Sequence, residues 1–349
     1  MTYISKPVVH HPELPKNALG LTHRDYDGRI STLCAGCGHD SISAALIQAC
    51  FELDLPPHRL AKLSGIGCSA KTPTYFLGAA HGFNGVHGRM PSLATGANLA
   101  NRDLVYIGIS GDGDTASIGL GQFVHAIRRG VNMLYMVENN GVYGLTKGQF
   151  SATADVGSRS KSGEANIYPV IDLISLALDL GAGFVARSFS GDKEQLVPLI
   201  RSALSYPGFA FIDCLSPCVT FNNHVGSTKS YAWIRDHDLP IADLVPPRKE
   251  ITVSYPPGSR QVVTLHDGSQ CVLRKLSGDH DLGDRAAALA LIEEHRRCGE
   301  IATGLLYHDT EAQDMHSRMN TVATPLNALS FETLCPGTET LTKINAGFR

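Results

Sequence analysis

A continuous apolar run, LVYIGI at 104–109, and the mostly apolar VNMLYMV at 131–137 constrain this chain more than any other feature. Short apolar runs bounded by Gly, Asp and Asn read as β-strands buried on both faces, and such strands belong to parallel sheets. The stretch between them, 115–129, reads as one helix. A strand–helix–strand unit of this length is a right-handed crossover that leaves both strand ends at one edge of the sheet. The pattern recurs along the chain. A helix is expected at 41–53, capped by Asp40 or Ser41, followed by a short strand at 60–65. Further on come a helix near 171–181, a strand at 184–188, a helix at 193–205 and a strand at 209–214. The expected fold class is α/β, a parallel sheet with helices on both faces.

Outside this block the signals change. Residues 1–33 hold several prolines and read as an N-terminal arm. Residues 216–250 read as loop, and 251–275 as a β-hairpin turning near Asp267-Gly268 or Pro257-Gly258. Residues 281–297 read as a helix, and the remainder of the chain as an extended tail packed on another subunit. The expected organisation is therefore an arm (1–33), a binding domain (34–225) and a C-terminal extension of hairpin, helix and tail (226–349). With a formal net charge of −3, the chain lacks the basic excess of a nucleic-acid binder. It shows no signal peptide and no run of 18 apolar residues, so a cytoplasmic protein without a membrane span is expected. Nine cysteines, an odd number scattered over 349 residues, argue for thiols kept reduced and free to bind metal.

The chemistry sits at the strand ends. Gly111-Asp112-Gly113-Asp114 follows the first apolar run, and Glu138-Asn139-Asn140 follows the second. Both turns therefore emerge at the carboxyl edge of the sheet, where open α/β folds bind ligands. Asp112 offers a carboxylate oxygen, Asn140 an amide oxygen and Val142 a backbone carbonyl. Mg²⁺ takes about six oxygens, so two diphosphate oxygens and a water would complete the shell. The glycines let backbone N–H groups approach phosphate. A dinucleotide site is disfavoured, because GISGDGD lacks G-x-G-x-x-G and sets a carboxylate where a pyrophosphate would lie. The bland alternative is two unrelated turns.

Four cysteines lie in three glycine- or proline-containing loops: Cys34 and Cys37 in CAGCGHD, Cys68 in GIGCSAK and Cys218 in SPCVTFNN. Soft thiolates bind iron–sulfur clusters or zinc, each with four ligands. One C-x-x-C with two distant single cysteines is unlike a zinc ribbon, though Cys214 with Cys218 keeps zinc open. Cys50 and Cys214 suit core packing. Cys271, Cys298 and Cys335 have no visible partner.

Together, CAGCGH, GIGCS, HGR-MP-S-LATG, GDGD and ENNGVYGLTKGQ, in that order, resemble the β subunits of 2-oxoacid:ferredoxin oxidoreductases over roughly 30–225. The GDG…NN spacing is the thiamine diphosphate motif that this family shares with transketolases and decarboxylases. The resemblance implies a pyrophosphate-type thiamine-diphosphate-binding fold. It implies a 4Fe-4S cluster on Cys34, Cys37, Cys68 and Cys218, and Mg²⁺ on Asp112, Asn140 and Val142. It implies cofactor contacts from Ile66, Gly67, Cys68, Ser69, Gly113, Asp114, Gly144 and Leu145. Lys71, His87 and Arg89 are candidate substrate contacts, or else solvated loop charges. His39 either hydrogen-bonds near the cofactor or caps a helix.

The implied reaction is coenzyme-A-dependent oxidative decarboxylation of a 2-oxoacid, or its reverse, with electrons passing to or from ferredoxin. Lys71, Arg89 and the hairpin sequence favour 2-oxoglutarate over pyruvate. The chain is too short to hold a second, pyrimidine-binding domain. In this family a separate α subunit supplies that domain with the activating glutamate, which implies an α2β2 assembly. The rival readings are a non-oxidative thiamine-dependent decarboxylase subunit and a non-catalytic, zinc-stabilised scaffold.

Overall fold

The computed structural model describes residues 13–158, 163–220, 250–265 and 270–348. The Asp267-Gly268 turn, most of the 216–250 loop and the expected boundary at 225 lie outside them.

A nine-stranded sheet organises the molecule, in the order β2-β1-β3-β4-β8-β7-β11-β10-β9. Its strands are β1 Leu60–Ser64, β2 His81–Asn84, β3 Val105–Gly111, β4 Met133–Asn139, β7 Phe184–Phe189, β8 Phe209–Leu215, β9 Arg260–Thr264, β10 Gln270–Lys275 and β11 Glu300–His308. The two-residue strands β5 (Val142–Tyr143) and β6 (Gln149–Phe150) form a separate hairpin. The six strands from β2 to β7 in the sheet are mutually parallel. β11 joins β7 antiparallel, β10 runs parallel to β11, and β9 closes the hairpin antiparallel to β10.

Side-chain alternation explains the two cores. On β4, Met133, Tyr135 and Val137 face one layer of helices, while Leu134 and Met136 face the other. The first layer holds α2 (Met90–Ala100), α3 (Leu120–Arg129), α4 (Leu173–Asp179) and α6 (Arg285–Arg297). Phe123 anchors it, with ring centroids 5.2 Å from Tyr135 and 5.0 Å from Phe211 in edge-on contacts. The opposite layer is α1 (Gly38–Glu52) and α5 (Lys193–Ser205).

Four differences from the sequence reading matter. First, α1 begins at Gly38 with Cys37 as N-cap, ahead of Asp40 and Ser41. A Cβ on Gly38 would lie 2.6 Å from Ser190 Oγ and 2.7 Å from Ser216 Oγ, so only glycine lets this end dock. Second, the helix read at 115–129 is broken. Gly113–Ile118 forms a wide, π-type turn, and α3 starts only after Gly119. Third, β2 and α2 are additional elements. Fourth, the segment read as an extended tail opens with β11, a strand within the main sheet, before the short helices Met315–Met319, Phe331–Leu334 and Gly337–Ala346. Among the described residues no helix is long and apolar enough to cross a membrane.

Candidate functional site

The site is assembled by adjacency in the sheet. β1, β3, β4 and β8 are consecutive parallel neighbours, so their carboxyl ends lie side by side. They deliver Gly65–Ser69, Gly111–Asp114, Glu138–Val142 and Ser216–Cys218, respectively. The N-terminus of α1 adds Cys34–His39. His39 Nδ1 lies 2.5 Å from Ser216 Oγ, and Gly38 N–H donates to the Pro217 carbonyl at 3.5 Å.

Asp112 and the Asn140 turn meet through the Asn140 backbone, and both residues line the cleft. The Asn140 backbone N–H donates to Asp112 Oδ1 at 3.3 Å, and Asn140 Oδ1 accepts from Val142 N–H at 3.0 Å. Asp112 Oδ2 accepts from Thr153 Oγ1 at 2.6 Å and from Ser151 Oγ. All of these donors are neutral. Asp112 is only 1% exposed, and burial raises its pKa despite the hydrogen bonds. A buried carboxylate surrounded by neutral donors, beside an amide oxygen, is a donor set that suits a hard cation.

Asp114 is a clamp. It accepts Gly88 N–H at 2.8 Å and Ser110 Oγ at 3.0 Å. A Cβ on Gly65 would run into its carboxylate. The same clamp seats Gly88 (φ +67°) against Gly119 at the end of the wide turn, with room for no Cβ on either. Gly113 meets the Tyr143 ring, whose hydroxyl donates to the Gly113 carbonyl at 3.0 Å. Glycine at 113 therefore keeps the turn's backbone open to a ligand while a tyrosine backs it.

These loops enclose an open cleft of about 510 Å³. Of the residues singled out by sequence, it brings together His39, Ile66 to Ser69, His87, Asp112 to Asp114, Asn140, Val142, Gly144 and Leu145. Lys71 and Arg89 do not line it. Lys71 lies on the short helical turn Ser69–Thr74, close enough to Cys68 to offset part of the rise that burial and Cys218 impose on that thiol's pKa. Arg89 is exposed at the start of α2. Sequence reasoning misses Glu138, Tyr143 and Thr146, which also line the cleft. A glutamate ending an apolar strand, inside ENNGVYGLT, is the available signal for the first.

Glu138 is fully buried and accepts the Thr72 hydroxyl at 2.9 and 3.0 Å. Burial raises its pKa well above the usual value and pushes His39 down to about 4. Their 3.5 Å contact therefore joins two groups that burial drives toward their neutral forms.

The four cysteines gather behind this wall. Cys37 is buried, Cys68 and Cys218 are half-buried and Cys34 is exposed. Burial raises the thiol pKa of Cys37 and of Cys68. Cys218 raises both further, and Cys34 acts on Cys68 as well. Thr220 Oγ1 donates to Cys34 Sγ at 3.2 Å. Among the described residues no three His, Cys, Asp or Glu side chains converge tightly enough to hold a single ion. Four thiols from three loops, mutually interacting at the N-terminus of a 15-residue helix, are a donor set for a cluster with anionic ligands.

Residues 65–214 match the family described as "Thiamine pyrophosphate enzyme, C-terminal TPP binding domain". The chain is 45% identical to a 2-oxoacid:ferredoxin oxidoreductase subunit beta from Sulfolobus over 191 residues, covering 54% of this chain and 63% of that one. It is 35% identical to the 2-oxoglutarate synthase subunit KorB of Methanocaldococcus jannaschii over 189 residues, 54% of this chain and 69% of that one. The chain belongs to the 2-oxoacid:ferredoxin oxidoreductase β-subunit family. A solved 2-oxoglutarate:ferredoxin oxidoreductase from Magnetococcus marinus, with 2-oxoglutarate, coenzyme A and succinyl-CoA bound, superposes with a TM-score of 0.70 at 29% identity. That match covers 90% of this chain and 94% of that one. The chain spans about six-tenths of the length of the first curated oxidoreductase β subunits it matches.

Proposed function

We propose that this β subunit carries the cofactors of a coenzyme-A-dependent 2-oxoacid:ferredoxin oxidoreductase. The reaction is oxidative decarboxylation of 2-oxoglutarate to succinyl-CoA, or the reverse carboxylation. The observation that carries the reading is the juxtaposition of the Asp112–Asn140 pair with four cysteines, Cys68 belonging to both the cleft wall and the thiol group. Asp112, Asn140 and the Val142 carbonyl would hold Mg²⁺. Ile66 to Ser69, Gly113, Asp114, Gly144 and Leu145 would contact thiamine diphosphate. Cys34, Cys37, Cys68 and Cys218 would hold a 4Fe-4S cluster. The mutual influence of these thiols, without convergence on one point, suits a multi-iron cluster better than one zinc ion.

When bound, thiamine diphosphate supplies the electron sink for decarboxylation and the cluster supplies one-electron transfer. The chain's own residues do the rest. Asp112 and Asn140 would fix the diphosphate end, and the Asp114 clamp on Gly88 and Ser110 would hold the wide turn in place beside it. Glu138 and His39, both pushed toward their neutral forms by burial, form a wall of low charge beside the cleft. Of the three candidate substrate contacts His87 lines the cleft, while Lys71 and Arg89 lie outside its lining and would meet a substrate carboxylate only from the flanks. An α subunit would cover the mouth with the pyrimidine-binding domain and the activating glutamate, in an α2β2 complex that exchanges electrons with ferredoxin. The C-terminal elements would contact that partner. The relatives named for 2-oxoglutarate favour this substrate over pyruvate.

The test is the anaerobically purified αβ complex, assayed on a panel of 2-oxoacids with coenzyme A and a viologen acceptor. The reading expects about four iron per β chain, bound thiamine diphosphate and highest kcat/KM on 2-oxoglutarate. Cofactor without iron would favour a non-oxidative decarboxylase. Zinc without cofactor would favour a scaffold.

A further inference from the structure

Behind the Asp112–Asn140 pair runs a buried polar chain that the roles above do not use. Asp213, on β8, is 1% exposed in the middle of the sheet. Its partner across the strand register is Arg187 on β7, whose Nε donates to Asp213 Oδ2 at 3.0 Å. Arg187 also donates to Asp172, which caps α4. If the arginine served only to hold α4, Asp172 would suffice, and a second buried carboxylate would add desolvation cost without return. Asp213 points onward instead. Its Oδ1 accepts Asn139 Nδ2 at 3.0 Å.

That bond fixes a direction. A carboxylate only accepts here, so the Asn139 amide must turn its nitrogen toward Asp213 and its oxygen the other way. The oxygen meets the Thr153 hydroxyl at 3.2 Å, and the same hydroxyl donates to Asp112 Oδ2 at 2.6 Å. Thr153 thus has one proton shared between Asp112 Oδ2 and Asn139 Oδ1, with Ser151 Oγ 2.8 Å away as a third neighbour. Asn139 is also the residue before Asn140, and its backbone carbonyl accepts Ser216 N–H at 2.7 Å. Every link is buried or half-buried, and the chain ends on the carboxylate assigned to the cation.

We propose that Asp213, Asn139 and Thr153, anchored by Arg187, form a positioning chain that sets the angle of Asp112 and of the Asn139–Asn140 turn, and thereby the affinity of the cation site. This rests on the reading of Asp112 as a cation ligand. Supporting groups of this kind change metal affinity by about 10- to 100-fold when removed.

The experiment measures Mn²⁺ binding, by electron paramagnetic resonance in the presence of thiamine diphosphate, on the full chain and four variants, together with the cation-free Tm of each. Asp112→Asn tests the underlying reading. If it binds Mn²⁺ as wild type does, that reading fails and the positioning chain with it. If it abolishes binding, the other variants decide. Asp213→Asn and Thr153→Val should each raise the Mn²⁺ Kd about 10- to 100-fold, with Thr153→Val leaving the cation-free Tm close to wild type. The double variant Asp213→Asn/Thr153→Val should be no weaker than the weaker single, because both cut one chain. Wild-type Mn²⁺ affinity in Thr153→Val, or additive losses in the double variant, would overturn the proposal while leaving the cation site intact. Should Asp213→Asn fail to fold, Thr153→Val alone decides.

Discussion

Replacing Asp112 with asparagine separates a cation ligand from a structural anchor, because the two roles give opposite results. Asp112 is almost wholly buried, and desolvation outweighs the donors from Ser151, Thr153 and Asn140, so folding disfavours its charged form relative to the unfolded chain. Asparagine mimics the neutral form and keeps one acceptor oxygen. The cation-free variant should therefore unfold at the wild-type temperature or above it. Ligand linkage should behave differently. Saturation at a hundred times Kd stabilises a protein by about 2.7 kcal/mol. At roughly 2.1 cal/mol/K per residue, a chain of 349 residues has an unfolding entropy of about 0.7 kcal/mol/K. Mg²⁺ with thiamine diphosphate should then raise the wild-type Tm by about 4 °C and leave Asp112→Asn unmoved. Differential scanning fluorimetry with and without the ligands measures both. An equal loss of Tm in the cation-free and loaded proteins would make Asp112 an anchor for the 151–153 loop, and the reasoning would be wrong.

Glu138→Gln should change the pH dependence of stability. Burial raises the Glu138 pKa above its ordinary value of 4.5, so its contribution is full below that pH and lost as pH rises through the raised value. Wild type should therefore lose stability relative to the glutamine variant as pH rises above 4.5 toward the raised value, and parallel Tm curves would contradict this. Cys218→Ser should take iron from about four per chain to well below that, by colorimetric assay after anaerobic purification; unchanged iron would remove Cys218 from the ligand set. Phe123→Ala opens a hole between Tyr135 and Phe211 and should cost about 3–5 kcal/mol in urea denaturation. A loss under 1 kcal/mol would mean that the layer repacks around it.

The parts of the fold written locally were readable from sequence. The strands near 104–109, 131–137 and 209–214 announce themselves by their apolar stretches, and GDGD with ENN carries its chemistry in neighbouring residues. What escaped depends on distant contacts. β2 exposes all four of its residues, HGFN, and is a strand only because β1 pairs with it. β11 is interrupted by Gly304 at φ +138° and a register shift at Leu305/Tyr307, so no clean alternation marks it. The early start of α1 follows from Gly38 seating on Ser190 and Ser216, more than 150 positions away. Ser151 and Thr153 look like ordinary loop residues until folding places both on Asp112.

The antiparallel seam between β7 and β11 sends the chain backwards. β11 ends at the opposite edge from the cleft, where Asp309 N–H bonds the Gly183 carbonyl and Met315 N–H bonds the Gly130 carbonyl. A seven-residue parallel strand spans about 23 Å, and that length separates residues 309–319 from the cleft mouth. Substrate entry at the mouth and anything seated on residues 309–319 therefore approach the sheet from opposite ends and do not compete for the same space.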